Sequence, residues 1–146
     1  MIAEWIFIPV ILQLLLVMIL YGLLNQRKKQ AVVNREVDEQ RRALYSDAWP
    51  HYVLQVNNAI RNQFEIPVLF YVVCLLLFAL DATNLFSLVI AAAFVLTRYG
   101  HAYVHVGSNY VPKRKRFFVA GTVLLLTLLL YVMAVLACLL LDLPTG

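Results

Sequence analysis

Charge is the scarcest property of this sequence, and the places where it is missing are informative. Only 14% of the residues are Asp, Glu, Lys or Arg, whereas 63% are apolar. No charge falls between Trp5 and Leu24, between Ile66 and Leu80, or between Phe117 and Leu141, runs of 20, 15 and 25 residues. The hydrocarbon of a bilayer takes about 20 apolar residues per helix, so the first and last runs can each cross it alone. A soluble chain of 146 residues has no core large enough to bury them. No Lys or Arg precedes the first run, Glu4 does, and the run is too long for a signal h-region, so it is expected as a retained span. Cysteine is also rare. Cys74 and Cys138 both sit inside apolar runs and read as reduced packing residues. No internal repeat or low-complexity segment is present. The formal charge of +4 lies beside the apolar runs rather than on a free surface, so nucleic acid is not expected as a partner.

What remains predicts an all-α membrane protein, a four-transmembrane-helix bundle forming one domain over residues 1–146. The spans are placed at about 5–24, 52–80, 85–105 and 117–141, with loops at 25–50 and 106–116. Within the first loop, Glu36–Arg41 is expected to continue as helix, held by near-neighbour charge pairs. The short turn Asp81-Ala82-Thr83-Asn84 makes the second and third spans antiparallel neighbours. Of the twelve basic residues, six lie in the first loop and four in the other (Lys113 to Arg116), with Arg61 and Arg98 inside spans. The positive-inside rule then puts both loops in the cytoplasm. The N-terminus, the Asp81 turn and the Asp142 tail fall on the other side. The compact loops favour a bacterial inner membrane.

Residues that a bilayer should exclude carry the functional signal. Arg61, Glu65, Arg98, His101 and His105 lie within spans, where a lipid-facing charge costs about 2.5 kcal/mol or more. Asn58, Asn62 and Glu65 fall at i, i+4 and i+7, with Arg61 four residues before Glu65. Arg98, His101 and His105 fall at i, i+3 and i+7. Counted from the Asp81 turn at 1.5 Å per residue, Glu65 is about 24 Å deep and Arg98 about 21 Å, so the two stripes are expected to meet. Pro67 should disturb the helix beside them by depriving the Gln63 carbonyl of its partner. The surplus of arginine over carboxylate suits an anionic ligand. It also argues against a metal at His101 and His105, whose third ligand would be Glu65 or His51. A buried Glu65–arginine ion pair that only fixes helix packing is the plainer alternative.

The stretch Arg61-Asn62-Gln63-Phe64-Glu65-Ile66-Pro67, continued by Val68-Leu69-Phe70-Tyr71, resembles the signature of the MAPEG family, membrane-associated proteins in eicosanoid and glutathione metabolism. Arg98-x-x-His101, the basic loop with Pro112 and Arg114, and Gly121 extend the likeness over nearly the whole chain. The resemblance implies a homotrimer with glutathione as co-substrate, held between subunits. It implies that Asn62 and Glu65 hold the polar groups of glutathione, with Arg61 and Arg98 towards its carboxylates. Arg114, or Arg116 if the loop register differs, would stabilise the thiolate. The expected function is therefore a glutathione-dependent membrane transferase or peroxidase acting on a lipophilic electrophile or lipid peroxide. Two positions depart from the pattern: Asn58 stands where many catalytic members have Arg, and His105 where several have Tyr. They support the alternative, a non-catalytic lipid-binding or assembly protein of the same fold.

Overall fold

The computed structural model describes residues 3–141; the Asp142 tail lies outside them. A 3-10 turn, Ala3–Ile6, leads into α1 (Phe7–Val33). The second crossing consists of α2 (His51–Arg61), a 3-10 turn over Asn62–Phe64, and α3 (Ile66–Ala79). The third and fourth crossings are α4 (Leu85–Val106) and α5 (Val111–Leu140). Four helical segments are long and apolar enough to span a membrane, and no strand occurs among the described residues. α4 packs along α5, α2 packs on α1 and α4, and α3 packs on α5 and α1. The Phe70 ring of α3 also stacks on Phe94 of α4, with centroids 4.4 Å apart.

The second crossing is interrupted rather than merely kinked, and Pro67 supplies the cause. Proline has no N–H to offer the Gln63 carbonyl, and its ring disfavours helical backbone at Ile66. The chain responds one residue earlier: Glu65 takes φ −105°, ψ −103°, outside the helical region. Helix resumes when the Glu65 carbonyl accepts a hydrogen bond from Val68 N at 3.2 Å. The Gln63 side chain turns inward at this break. Its Oε1 accepts from Gln13 Nε2 of α1 at 2.9 Å, and its Nε2 donates to the Ala59 carbonyl at 3.1 Å.

Two helix boundaries differ from the sequence expectation. α1 continues beyond Leu24 to Val33, and Glu36–Arg41 forms turns instead of helix. Arg35, at φ 57°, reverses the chain, donating to the Val32 carbonyl while Glu36 N donates to that of Ala31. This double closure is a Schellman stop. The expected charge pairs form nonetheless, Arg41 with Asp38 and Asp47 and Arg42 with Glu39, and they tie a turn. At the other boundary α5 begins at Val111, so Lys113 to Arg116 ride on its first turns rather than in a loop. Pro112 suits a first turn and Lys and Arg are good helix formers. An apolar run marks where hydrocarbon begins, not where helix does.

Both ends of the bundle are fastened by polar contacts. At the Asp81 turn, Asn84 and Ser87 form a reciprocal capping box for α4, and Asn84 Nδ2 donates to Tyr131 Oη of α5 at 2.8 Å. At the basic end, Arg27 of α1 donates to the carbonyls of Tyr52 (2.7 Å) and Val106 (2.8 Å). Val106 is the last residue of α4, so the guanidinium also meets the negative end of that helix. One apolar cluster fills the half nearer the Asp81 turn, around Phe70, Phe94, Leu77 and Leu128. A second fills the basic half, around Leu20, Leu24, Val56 and Ala59.

Candidate functional site

The polar residues of the spans form two separate stripes. Along α4, Arg98, His101 and His105 are 1%, 3% and 4% exposed. On the second crossing, Asn58, Arg61 and Glu65 are exposed on the outside of the bundle, and Asn62 is half-buried. The expected convergence of Glu65 with Arg98 is not found. α2 turns its apolar face, Val53, Val56, Ala59 and Ile60, inward onto Leu20, Leu24 and Ala102, which leaves the Asn58–Arg61–Glu65 face outward. Matching depth placed the two stripes at one level but could not say which way each faced.

Arg98 is held by α5. Its Nη2 donates to the carbonyls of Phe117 at 3.2 Å and Phe118 at 3.5 Å, and its guanidinium lies 5.5 and 5.4 Å from the ring centres of Phe94 and Phe118. Aromatic faces attract a cation, which offsets part of its desolvation. Gly121 makes the space: a Cβ there would lie 2.8 Å from Arg98 Nη2 and 2.6 Å from Thr97 Oγ1. No carboxylate pairs with Arg98 among the described residues.

The two histidines link the inner stripe to the start of α5. Asn62 Nδ2 lies 3.2 Å from His105 Nδ1, so this nitrogen accepts and the proton sits on Nε2. The His105 and His101 rings meet edge to face at 5.7 Å. His101 Nδ1 is 3.1 Å from the Arg114 carbonyl, to which it donates. The Arg114 side chain is half-buried, and its Nη1 donates to Asn109 Oδ1 at 2.7 Å. Asn109 is preset for this contact by its φ of 51°, a conformation asparagine tolerates. Arg116 is exposed and makes no such contact.

Asn62 is thus the junction, touching the inner stripe while its neighbours Arg61 and Glu65 face out. The Glu65 and Arg61 side chains have no hydrogen-bond or ion-pair partner among the described residues. From Leu80 at 1.5 Å per residue, Glu65 lies inside a hydrocarbon layer of about 30 Å. An uncovered charge there is costly, so this face needs a cover of protein, water or a polar ligand.

Several contributors carried little sequence signal. Gln13 is the lone amide of an otherwise apolar run and is fully buried against Gln63. Arg27 counts in the sequence only as a topological charge, and Asn109 only as a loop residue. That solitary amide in a span is the one feature that could have pointed to its contact in advance.

In comparison with known proteins, the MAPEG family model matches residues 6–136 of the chain. No curated protein and no solved structure matches it.

Proposed function

Because the chain belongs to the MAPEG family, a family of membrane proteins in eicosanoid and glutathione metabolism, we propose that it is a glutathione-dependent membrane transferase or peroxidase acting on a lipophilic electrophile or lipid peroxide. The observation that carries this reading is the outward face of the second crossing, where Arg61 and Glu65 stand exposed and unpartnered at membrane depth. A second copy covering that face, in a homotrimer, encloses a polar cleft between subunits. Glutathione supplies carboxylates for Arg61 and an ammonium for Glu65, and Asn58 and Asn62 offer amide contacts. Arg98 faces α5 instead, donating to the Phe117 and Phe118 carbonyls.

Arg114 is the residue assigned to the thiol. Asn109 fixes one edge of its guanidinium, leaving Nε and Nη2 without a partner among the described residues. A fixed cation beside the thiol favours the thiolate and so lowers its pKa. The thiolate forms a carbon–sulfur bond with an electrophilic carbon, whose displaced electron pair leaves with the leaving group or is protonated. With a peroxide, it attacks the O–O bond, releasing an alcohol and a glutathione sulfenate; the thiol of a second glutathione then attacks the sulfenate sulfur, breaking its S–O bond to give the disulfide and hydroxide. Orientation with the basic end in the cytoplasm gives soluble glutathione access to this site.

The test is conjugation of glutathione to a chlorodinitrobenzene by the detergent-purified protein. Glu65→Ala and Arg114→Ala should each lower the rate on the order of a hundredfold, the scale for losing one positioned charged donor or binding group. Arg116→Ala should leave it within about twofold. Full activity in both the Glu65 and Arg114 variants would refute the assignment. Asn58 favours the non-catalytic lipid-binding reading, which requires copurified lipid on this face and no response to glutathione.

A further inference from the structure

A polar cavity lies at the basic end, one turn of α2 beyond Arg61. It measures about 140 Å³ and sits between α1, the 42–46 segment and the first turns of α2. Lys28, Arg42, Ser46 and Asn57 supply its polar lining, and Trp49 closes one side. Trp49 is held in two ways: its Nε1 donates to the Arg42 carbonyl at 3.4 Å, and Lys28 Nζ lies 4.9 Å over its ring. A shallower apolar groove of about 430 Å³ adjoins the cavity and shares Lys28 and Trp49 with it.

Charge and depth both limit the occupant. The loop has four carboxylates, and all are engaged: Asp38 and Asp47 with Arg41, Glu39 with Arg42, and Glu36 with Tyr52 Oη at 2.6 Å. Lys28 and Lys29 therefore have no carboxylate partner among the described residues. Lys28 is four residues beyond Leu24, about 6 Å past the uncharged run. On the second crossing, twenty residues counted back from Leu80 reach Arg61, and Asn57 lies another four away, again about 6 Å. Two helices thus place the cavity walls at the level of lipid phosphates rather than in hydrocarbon or bulk water. Below Lys28 on the same side of α1, Leu14, Met18 and Tyr21 are exposed, a surface suited to acyl chains.

We infer that this cavity binds the headgroup of an anionic phospholipid, one with an uncompensated phosphate charge such as phosphatidylglycerol. Lys28 takes the phosphate, Arg42 adds the guanidinium N–H groups that its pairing with Glu39 through Nε leaves over, and the Ser46 hydroxyl and Asn57 amide donate to its oxygens. The inference rests on membrane topology and local charge, not on glutathione chemistry, so it stands or falls separately from the proposed activity.

Trp49 is the reporter. The chain has two tryptophans, so full-length Trp5→Phe protein in neutral detergent leaves Trp49 as the sole indole. Dioctanoyl phosphatidylglycerol should change its emission saturably, with an apparent affinity about tenfold tighter than dioctanoyl phosphatidylcholine. Lys28→Gln and Arg42→Gln should each weaken that affinity about fivefold. Native mass spectrometry of the unaltered protein should show the same preference for the anionic lipid. Equal responses to the two lipids, or no response to either, would overturn the site. The same saturable change with inorganic phosphate alone would overturn the lipid assignment in favour of a soluble anion.

Discussion

The two polar stripes carry nearly the same sequence signal and have opposite fates. On α4, Arg98, His101 and His105 are enclosed by their own chain, the first two anchored to backbone carbonyls of α5 and His105 to Asn62. On the second crossing, Asn58, Arg61 and Glu65 are left on the outside with no partner for either charge. The difference lies in what each helix offers its neighbours. α5 presents Gly121 and the Phe117 and Phe118 carbonyls to Arg98, a fitted place for a cation. α1 and α4 present leucine and alanine to α2, so the apolar face of α2 goes inward and its charges cannot. The inner stripe is therefore part of the protomer's own packing, and the outer stripe is the face to which the proposal assigns recognition.

Substitutions sharpen this division, and the largest effect is expected on the inner side. Arg98→Ala empties the space between α4 and α5 and should cost about 2–5 kcal/mol in unfolding experiments, the range for large-to-small changes in a packed interior. Arg98→Met should recover most of the loss, because an uncharged side chain of similar length fills the space without a buried charge. If Met and Ala were equally damaging, the charge rather than the packing would be what α5 requires. Gly121→Ala should cost about 1–3 kcal/mol, since its methyl group forces Arg98 and Thr97 aside. Gln63→Leu should cost about 1–2 kcal/mol by stranding the Gln13 amide, whereas Gln13→Leu combined with Gln63→Leu should return close to the parent stability. A double variant less stable than either single one would show that the amides do more than satisfy each other. Glu65→Ala should change protomer stability least, within about 0.5 kcal/mol, as for an exposed side chain with no contact.

The fold was legible because its signals are collective. Long uncharged runs reveal spans, and the Asp81–Asn84 turn and Pro67 mark reversal and break through local chemistry. Helix ends were less legible, because α1 past Leu24 and α5 before Phe117 are polar helices outside the apolar runs. The candidate site was legible only in part. Spacing identified both stripes as stripes, but the direction each one faces depends on neighbours far away in sequence. Arg98 turns towards Gly121, 23 positions on, and Gln63 towards Gln13, 50 positions back. That Arg114 rather than Arg116 is held by Asn109 likewise depends on the φ of Asn109, which composition does not reveal.

The most direct test of this division is the thermal stability of the purified protein with and without millimolar glutathione, run in parallel on Glu65→Ala. A ligand at ten times its dissociation constant adds about 1.4 kcal/mol through linkage. The account predicts a clear rise in midpoint for the parent protein and none for Glu65→Ala, with both having the same midpoint when glutathione is absent. An equal rise in both, or none in either, would contradict the assignment of the outer stripe to glutathione.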